Sequence, residues 1–310
     1  MKCQPCRLLR WSSATWGWIL LLVVLVQNSA AEDKRTVVPE PYPRGEMLMD
    51  PRILPTGGRD LVVLDARGEA AYLKGHVPGA VRVDHDAWKR ALRDDSNAED
   101  WSRRIGALGI GPKTQVVIYD DALSKDAARI WWILRYWGAD RAALLNGGWR
   151  GWQAAKRPIE LKVTAPTPEN FPAEAHSSKL TLKRQLLRTL QSKDQAPQLV
   201  DARSIGEFCG DTKSARRGGA MPGAKHLEWS ELLDQRTQRF KPAAELRVLL
   251  ADAGIDLKRR TIAHCQSGGR SSVMAFGLEL MGADDVGNYY AGWAEWGNAD
   301  DTPIVKPRTQ

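Results

Sequence analysis

The chain has 310 residues, of which 43% are hydrophobic and 26% charged, and its formal net charge is +8. This length suits one large domain or two of ordinary size, and the composition excludes a disordered chain. The basic excess is mild and contains no Lys/Arg run typical of nucleic-acid binding, so we expect small anionic ligands instead.

The first predicted element is a targeting segment. A basic stretch ends at Arg10, an apolar run follows from Trp16 to Val26, and small residues stand at Ser29 and Ala31. The pattern predicts a signal peptide over residues 1–31 and an exported protein, periplasmic or secreted. The apolar run is short for a membrane span, so we expect no stable membrane insertion after cleavage, with an uncleaved anchor as the alternative.

Two cysteines, Cys209 and Cys265, follow this segment. An exported protein with so few cysteines is not a disulfide scaffold. One bridge between them is an alternative to a chemical role for Cys265.

The rest of the chain is a duplication. Four blocks recur in the same order, 136 to 145 residues apart, and predict two copies of one domain, over residues 45–156 and 179–305, joined by a proline-containing linker at 157–178. Copy two alone has about eight extra residues near Asp211–Gly218. The matching blocks are Leu64–Arg67 with Val200–Arg203, Val77–Ala80 with Met221–Ala224, Val117–Asp120 with Ile262–Cys265, and Gly147–Trp149 with Ala291–Trp293.

Short β-rich runs alternate with helical spacing in each copy. The predicted strands are 60–65, 80–84, 115–119, 142–145, 198–200 and 261–263, and the clearest predicted helices are 126–136 and about 271–281. This alternation predicts an α/β fold, each copy a parallel sheet with helices on both faces. The functional crevice of such a sheet lies at the carboxyl ends of its strands.

Cys265 follows a predicted strand and opens the loop Cys265-Gln266-Ser267-Gly268-Gly269-Arg270. The two glycines let successive amide groups converge on one point, the following helix adds a partial positive charge, and Arg270 adds a full one. We therefore expect the loop to stabilise a thiolate, which makes Cys265 a nucleophile. The alternative is a buried structural cysteine.

Copy one has Asp120 at the matching position. An aspartate is not a nucleophile for sulfur and would repel anions, so copy one is predicted to be catalytically silent.

Together these motifs resemble the tandem-domain rhodanese family, the thiosulfate and 3-mercaptopyruvate sulfurtransferases. The resemblance extends from about Leu61 to Asn298 and rests on the repeated blocks and the cysteine loop. It implies a silent first domain and an active second one, where Cys265 carries sulfur as a persulfide and the amides of Gln266, Ser267, Gly268, Gly269 and Arg270 hold it. It also implies an anionic sulfur donor, a thiol or cyanide acceptor, and no metal or organic cofactor.

Arginine, histidine and tryptophan residues outside the loop have both functional and structural interpretations. Arg203 is a candidate for substrate binding because family members often use it so. The same Asp-x-Arg pattern ends at Arg67 in the silent copy, which also indicates a structural role. His264 is expected to point away from Cys265, since side chains alternate along a strand. The many tryptophans are expected to pack in the core.

Several functions remain open. Thiosulfate is favoured over 3-mercaptopyruvate as donor because Glu207 occupies a position that is usually basic in mercaptopyruvate-type members. A Cys-dependent phosphatase is the rival enzyme class, but its loop has five residues between Cys and Arg, whereas this loop has four. A non-enzymatic binding module is the third alternative.

Overall fold

The computed structural model describes residues 40–58, 60–94, 97–191 and 196–307, and the predicted signal peptide lies outside them. Within the described residues no helix is both long and apolar enough to cross a membrane. Copy one contains β1 (Leu48–Met49), β2 (Leu61–Asp65), α1 (Glu69–Leu73), β3 (Val81–Arg82), α2 (His85–Asp94), α3 (Ala98–Gly106), β4 (Gln115–Tyr119), α4 (Lys125–Tyr136), β5 (Ala142–Leu145) and α5 (Gly148–Ala154).

Copy two follows the same order from its first strand onward, except that a single α-helix stands in place of α2 and α3. Its elements are α6 (Lys183–Gln191), β6 (Gln198–Asp201), α7 (Ile205–Cys209), β7 (Lys225–His226), α8 (Ala243–Asp252), β8 (Thr261–His264), α9 (Gly269–Leu280), β9 (Val286–Tyr289) and α10 (Gly292–Trp296). Short 3₁₀ helices lie at Gly45–Met47 and Trp229–Leu232. The helix predicted from about 271 begins two residues earlier, and the strand predicted over 80–84 has only two paired residues.

Each copy forms its own parallel sheet. The strand order is β1-β5-β4-β2-β3 in copy one and β7-β6-β8-β9 in copy two, so β4 and β8 are interior strands of equivalent sheets. The prediction of two parallel α/β domains is confirmed.

Both faces of each sheet are covered. On β4 the side chains of Val116 and Ile118 join one apolar cluster, while those of Val117 and Tyr119 join another on the opposite face. A strand buried on both faces is a continuous apolar run, which is why this segment reads Gln-Val-Val-Ile-Tyr.

The two copies share one core. Helices α4 and α9, which are equivalent in the repeat, pack against each other, and one buried cluster contains residues of both copies. Trp131 meets Phe276 edge-on with ring centroids 5.0 Å apart, and Trp132 stacks on Tyr290 at 5.0 Å. Truncating such a buried aromatic ring to alanine typically costs ~3–5 kcal/mol, so this contact holds the copies together.

The segment between the copies follows the surface of copy one. His76 and Glu160 exchange backbone hydrogen bonds of 2.9 and 3.0 Å, and the amide of His176 donates to the Tyr136 carbonyl at 2.8 Å. The amide of Thr181 then donates to Asn288 at 3.0 Å and brings the chain onto the second sheet.

Candidate active site

Cys265 lies at the carboxyl end of β8 and lines a cavity of about 580 Å³. Its side chain is only 1% exposed. The loop that it opens is short, because α9 begins at Gly269. Gly268 makes this turn with φ +90°, and a Cβ atom there would come within 2.5 Å of the Tyr290 ring, so both conformation and space require glycine.

The Gly-Trp block fixes the loop from behind. The Trp293 amide donates to the Cys265 carbonyl at 2.8 Å, and the Ala294 amide donates to the Gln266 carbonyl at 3.0 Å. Gly292 permits this approach with φ +61°, since a Cβ atom there would lie 2.3 Å from the Cys265 carbonyl oxygen. Copy one repeats the arrangement, because the Trp149 amide donates to the Asp120 carbonyl at 2.8 Å. The repeated block therefore anchors the loop after the interior strand.

The equivalent loop of copy one binds an anionic side chain. The Asp120 carboxylate accepts hydrogen bonds of 2.8–3.0 Å from four backbone amides, those of Ala122, Ser124, Asp126 and Ala127. Burial raises the pKa of Asp120 to about 6 although these donors oppose it, so the group is ionised at neutral pH. These four amides form a nest of converging N–H groups, and in copy one the Asp120 carboxylate occupies it. The corresponding turn of copy two begins at Cys265.

The two loops differ in length. Five residues separate β4 from α4, whereas four separate β8 from α9. The difference explains why the repeat offset changes from 145 to 144 after Cys265. The cysteine loop is therefore the tighter of the two.

Arg270 is bound to an acid. Its Nη1 and Nη2 atoms donate to both carboxylate oxygens of Glu207 at 2.6 and 3.0 Å. Burial alone would raise the pKa of Glu207, but the ion pair with Arg270 outweighs it and holds that pKa at about 2. Glu207 also completes a capping box with Ser204 at the start of α7. The full positive charge that the sequence predicted at Arg270 is therefore largely balanced.

The extra segment of copy two braces this ion pair. The Ser214 hydroxyl donates to Glu207 at 3.2 Å and to the Gln266 side chain at 2.6 Å, and Gln266 donates back to the Ser214 carbonyl at 2.8 Å. Arg216 and Arg217 of the same segment instead bind the chain near residues 296–302 and do not line the cavity around Cys265.

Copy one supplies the opposite wall of the cavity. Two of its helices, α2 and α4, present charged side chains toward the cysteine loop. Cations outnumber acids on this wall by three to two, so the cavity suits a small anion. The wall residues of copy one are His85, Asp86, Lys89, Lys125, Asp126 and Arg129.

Substrate binding by Arg203 is not supported. Arg203 is 1% exposed, pairs with Asp201 through hydrogen bonds of 2.5–3.1 Å, and donates to the Gly219 carbonyl at 2.7 Å. Its guanidinium lies 4.1 Å from the centroid of Trp293. Arg67 makes the equivalent contacts in the silent copy. The Asp-x-Arg pair is thus a buried brace, and Arg203 is not among the residues that line the cavity.

Of the other predicted site residues, Gln266, Ser267, Gly269 and Arg270 line the cavity beside Cys265, and Gly268 caps α9 behind them. Cys209 and Cys265 are both free thiols, so the alternative of a bridge is wrong.

His264 faces away from this cavity. Its Nε2 atom lies 3.6 Å from the Asp201 carboxylate, and burial lowers the pKa of His264, so the ring is neutral at pH 7. Tyr119 occupies the same place in copy one and donates to Asp65 at 2.5 Å. The prediction that His264 is not the base at Cys265 agrees with this position.

Sequence reasoning missed every residue that copy one contributes. Lys89, Lys125 and Arg129 stand on helices of a domain that the sequence marks as silent, and no motif joins them to the cysteine. The repeat does offer one signal, since α4 and α9 are equivalent helices and contacts between two copies of one fold commonly join equivalent surfaces. Glu207 was noted only as a departure from a basic residue, and its ion pair with Arg270 was not foreseen.

Comparisons with known proteins agree with this geometry. A family model described as "Rhodanese-like domain" matches residues 52–155 and 183–299. A putative thiosulfate sulfurtransferase of Haloferax volcanii is 33% identical, with 79% of this chain and 88% of that protein covered. The thiosulfate sulfurtransferase of Azotobacter vinelandii is 31% identical, with 79% and 91% covered. The sulfur carrier protein TtuD of Thermus thermophilus is 32% identical, with 76% and 87% covered.

The fold also occurs in solved structures. An anaerobic ergothioneine biosynthesis enzyme from Chlorobium limicola superposes with a TM-score of 0.76, at 23% identity, with 87% of this chain and 72% of that chain covered. At that identity the likeness concerns the fold alone. The family model covers both copies and the curated relatives cover most of the chain, so this protein belongs to the rhodanese family.

Proposed function

We propose that this protein is a sulfurtransferase that accepts sulfane sulfur from thiosulfate on Cys265 and passes it to cyanide or a thiol. The observation that carries the proposal is the position of Cys265, which directly follows an interior strand, opens the loop before a helix, and lines a cavity whose opposite wall carries Lys89, Lys125 and Arg129. Asp120, bound by four amides in the repeated loop, supports the view that this turn holds an anionic side chain.

The reaction has two displacements. The Cys265 thiolate attacks the outer sulfur of thiosulfate, a new S–S bond forms, and the old S–S bond breaks with its electron pair leaving on sulfite. The terminal persulfide sulfur then lies in the amide turn as an anion. Cyanide or a thiolate attacks this sulfur, becomes thiocyanate or a persulfide, and returns the electron pair to Cys265. The two displacements involve no net oxidation or reduction and need no cofactor.

Thiosulfate is the preferred donor. The curated relatives from Haloferax volcanii and Azotobacter vinelandii bear thiosulfate in their names. A mercaptopyruvate carboxylate would need a free cation on the α7 side of the cavity, where Glu207 already neutralises Arg270. A phosphatase would need five residues between the cysteine and the arginine, and this loop has four.

The decisive experiment is mass spectrometry after incubation with thiosulfate. The peptide that contains Cys265 should gain about 32 Da, one sulfur atom, and lose it on addition of cyanide. Cys209→Ser should behave like the wild type, and Cys265→Ser should remain unmodified. Absence of the adduct together with release of phosphate from an aryl phosphate would replace this proposal with the phosphatase; absence of both activities would favour a binding module.

Turnover measurements then identify the donor. Thiosulfate and 3-mercaptopyruvate should be compared at equal enzyme concentration with cyanide as acceptor. A higher kcat/KM for mercaptopyruvate would reverse the choice of donor without affecting the role of Cys265.

We also propose that the protein acts outside the cytoplasm. The support is the sequence of residues 1–31, with its basic start, apolar run and small residues before Glu32. Cell fractionation and N-terminal sequencing of the isolated protein test this. An N-terminus near Glu32 in the exported fraction supports the proposal, whereas an intact N-terminus in the cytoplasmic fraction contradicts it.

A further inference from the structure

Arg129 is a buried cation that reaches from the silent copy to the cysteine loop. It lies on the second turn of α4, is 5% exposed, and lines the cavity around Cys265. Its Nη1 atom donates to the Ser267 carbonyl at 2.9 Å and to the Tyr290 hydroxyl at 2.6 Å. A Cβ atom on Gly269 would lie 2.5 Å from Nη2, so Gly269 also serves to admit this guanidinium.

The contacts of Arg129 are with neutral groups. Among the described residues it forms no ion pair with a carboxylate, and its Nε atom has no hydrogen-bond acceptor. Arginine remains charged in proteins, and a buried charge is costly unless an opposite charge compensates it. Arg270, the cation that belongs to the loop itself, is already neutralised by Glu207.

A counter-charge for Arg129 would have to come from an acidic group around the cavity. The titratable and charged groups there are His85, Asp86 and Lys89 on α2, Lys125 and Asp126 on α4, Arg270 on α9, and the thiol of Cys265. Asp126 already lies within 3.8 Å of His85 and Lys125, and Asp86 is exposed and lies 3.7 Å from His85, so both acids have other neighbours than Arg129. The remaining groups that could bring a negative charge to Arg129 are the sulfur of Cys265 and an incoming anionic donor.

We propose that Arg129, supplied by the silent copy, is a positioning residue that fixes the Ser267 turn and provides the uncompensated positive charge for the anionic sulfur at Cys265. The inference rests on the proposed function for its catalytic consequence, although its electrostatic part concerns the thiol itself. It gives the copy without a cysteine a direct part in the chemistry of the other copy.

The test is the rate of alkylation of Cys265 by iodoacetamide as a function of pH, followed by mass spectrometry of the Cys265 peptide. Loss of a nearby opposite charge typically moves such a profile by about 1–3 pH units. In Arg129→Met we therefore expect the midpoint to rise by at least about one unit and kcat/KM for thiosulfate to fall at least about tenfold. Arg129→Lys, which keeps a charge but not the two-donor geometry, should retain a midpoint closer to that of the wild type than Arg129→Met has.

Arg135→Met is the matched control. Arg135 lies on the same helix, but it donates to Asp140 at 2.6 Å, approaches Glu279 at 3.8 Å and does not line this cavity. We expect its alkylation profile to match that of the wild type. An unchanged profile in folded Arg129→Met, or an equal shift in the control, would overturn the inference. If Arg129→Met does not fold, the alkylation profile of Arg129→Lys is compared with that of the wild type: a raised midpoint supports the inference, and an unchanged midpoint overturns it.

The alkylation readout keeps this inference separate from the proposed function. An altered profile in a protein that transfers no sulfur would retain the electrostatic role and discard the sulfurtransferase. Sulfur transfer by the wild type together with an unaltered alkylation profile in Arg129→Met would retain the sulfurtransferase and discard the role of Arg129.

Discussion

The ion pair between Glu207 and Arg270 should make the cysteine loop a contributor to the pH dependence of stability. Glu207 has a pKa of about 2 in the folded protein, against 4.5 for an ordinary glutamate. Because the folded value is the lower one, the stabilisation is present in full above pH 4.5 and is lost as the pH falls toward 2. One pKa unit corresponds to 1.36 kcal/mol, so the contribution is about 3 kcal/mol at pH 7.

We therefore expect Glu207→Gln to lower the free energy of unfolding by about 3 kcal/mol at pH 7 and by about 1.4 kcal/mol at pH 3, where much of the wild-type interaction is already lost. Urea unfolding followed by tryptophan fluorescence at a series of pH values measures this. Glu245→Gln on α8, at an exposed position, is the control and should change stability by less than about 0.5 kcal/mol. A difference between wild type and Glu207→Gln that stays constant from pH 7 to pH 3 would refute the reasoning.

Three further predictions concern the anchors of the loop and the cavity wall. Gly292→Ala should lower stability and reduce sulfur transfer by about a hundredfold, as expected for a displaced nucleophile. Gly148→Ala, the equivalent change in copy one, should lower stability to a similar extent but reduce turnover less; urea unfolding and steady-state kinetics measure the two effects. Arg203→Met and Arg67→Met should each lower stability by ~3–5 kcal/mol, because each leaves a buried aspartate unpaired, and a rise in KM for Arg203→Met without loss of stability would restore its role in substrate binding. Lys125→Ala should raise the KM for thiosulfate several-fold at low salt and less at 0.5 M salt, where charges are screened within about 4 Å; equal KM values for variant and wild type at low salt would contradict this.

The fold was predictable because local patterns and the repeat agree. The predicted strands 115–119 and 142–145 match the observed ones residue for residue, since a fully buried parallel strand must be a continuous apolar run. The strand predicted over 80–84 pairs only at Val81–Arg82, because it lies at the edge of its sheet and has one neighbour.

The cysteine loop was also predictable in outline, because a nucleophile at a strand end and a glycine turn are contiguous in sequence. Its electrostatics were not. Whether Arg270 carries a free charge depends on Glu207, which is 63 residues earlier in the chain. Whether Arg203 touches a ligand depends on the stacking of Trp293, 90 residues later. These contacts depend on how whole helices and strands pack together, which cannot be deduced from the local patterns of a single sequence.

The last prediction concerns Asp120 in copy one, because its carboxylate binds the start of α4, the helix that lines the cavity around Cys265. Two of the four amides bound to Asp120 belong to Asp126 and Ala127, in the first turn of α4. The same turn and the next one present Lys125 and Arg129 to the cavity around Cys265. Asp120, which occupies the position of the cysteine, therefore acts as a fixed anion that holds the start of α4 and so orders the cavity wall of copy one.

Asp120→Ala should consequently affect both stability and catalysis. Each amide that loses its acceptor costs ~1–3 kcal/mol, which for four amides outweighs the relief of removing a buried charge, and we expect a net loss of roughly 3 kcal/mol. Sulfate should restore part of this loss by occupying the emptied nest, and its stabilising effect should exceed that on the wild type. Turnover should fall together with stability, because α4 carries Arg129. Full activity and no added response to sulfate in Asp120→Ala would mean that the silent loop is only a remnant of duplication, and that the orientation of α4 is set by its packing on α9 alone.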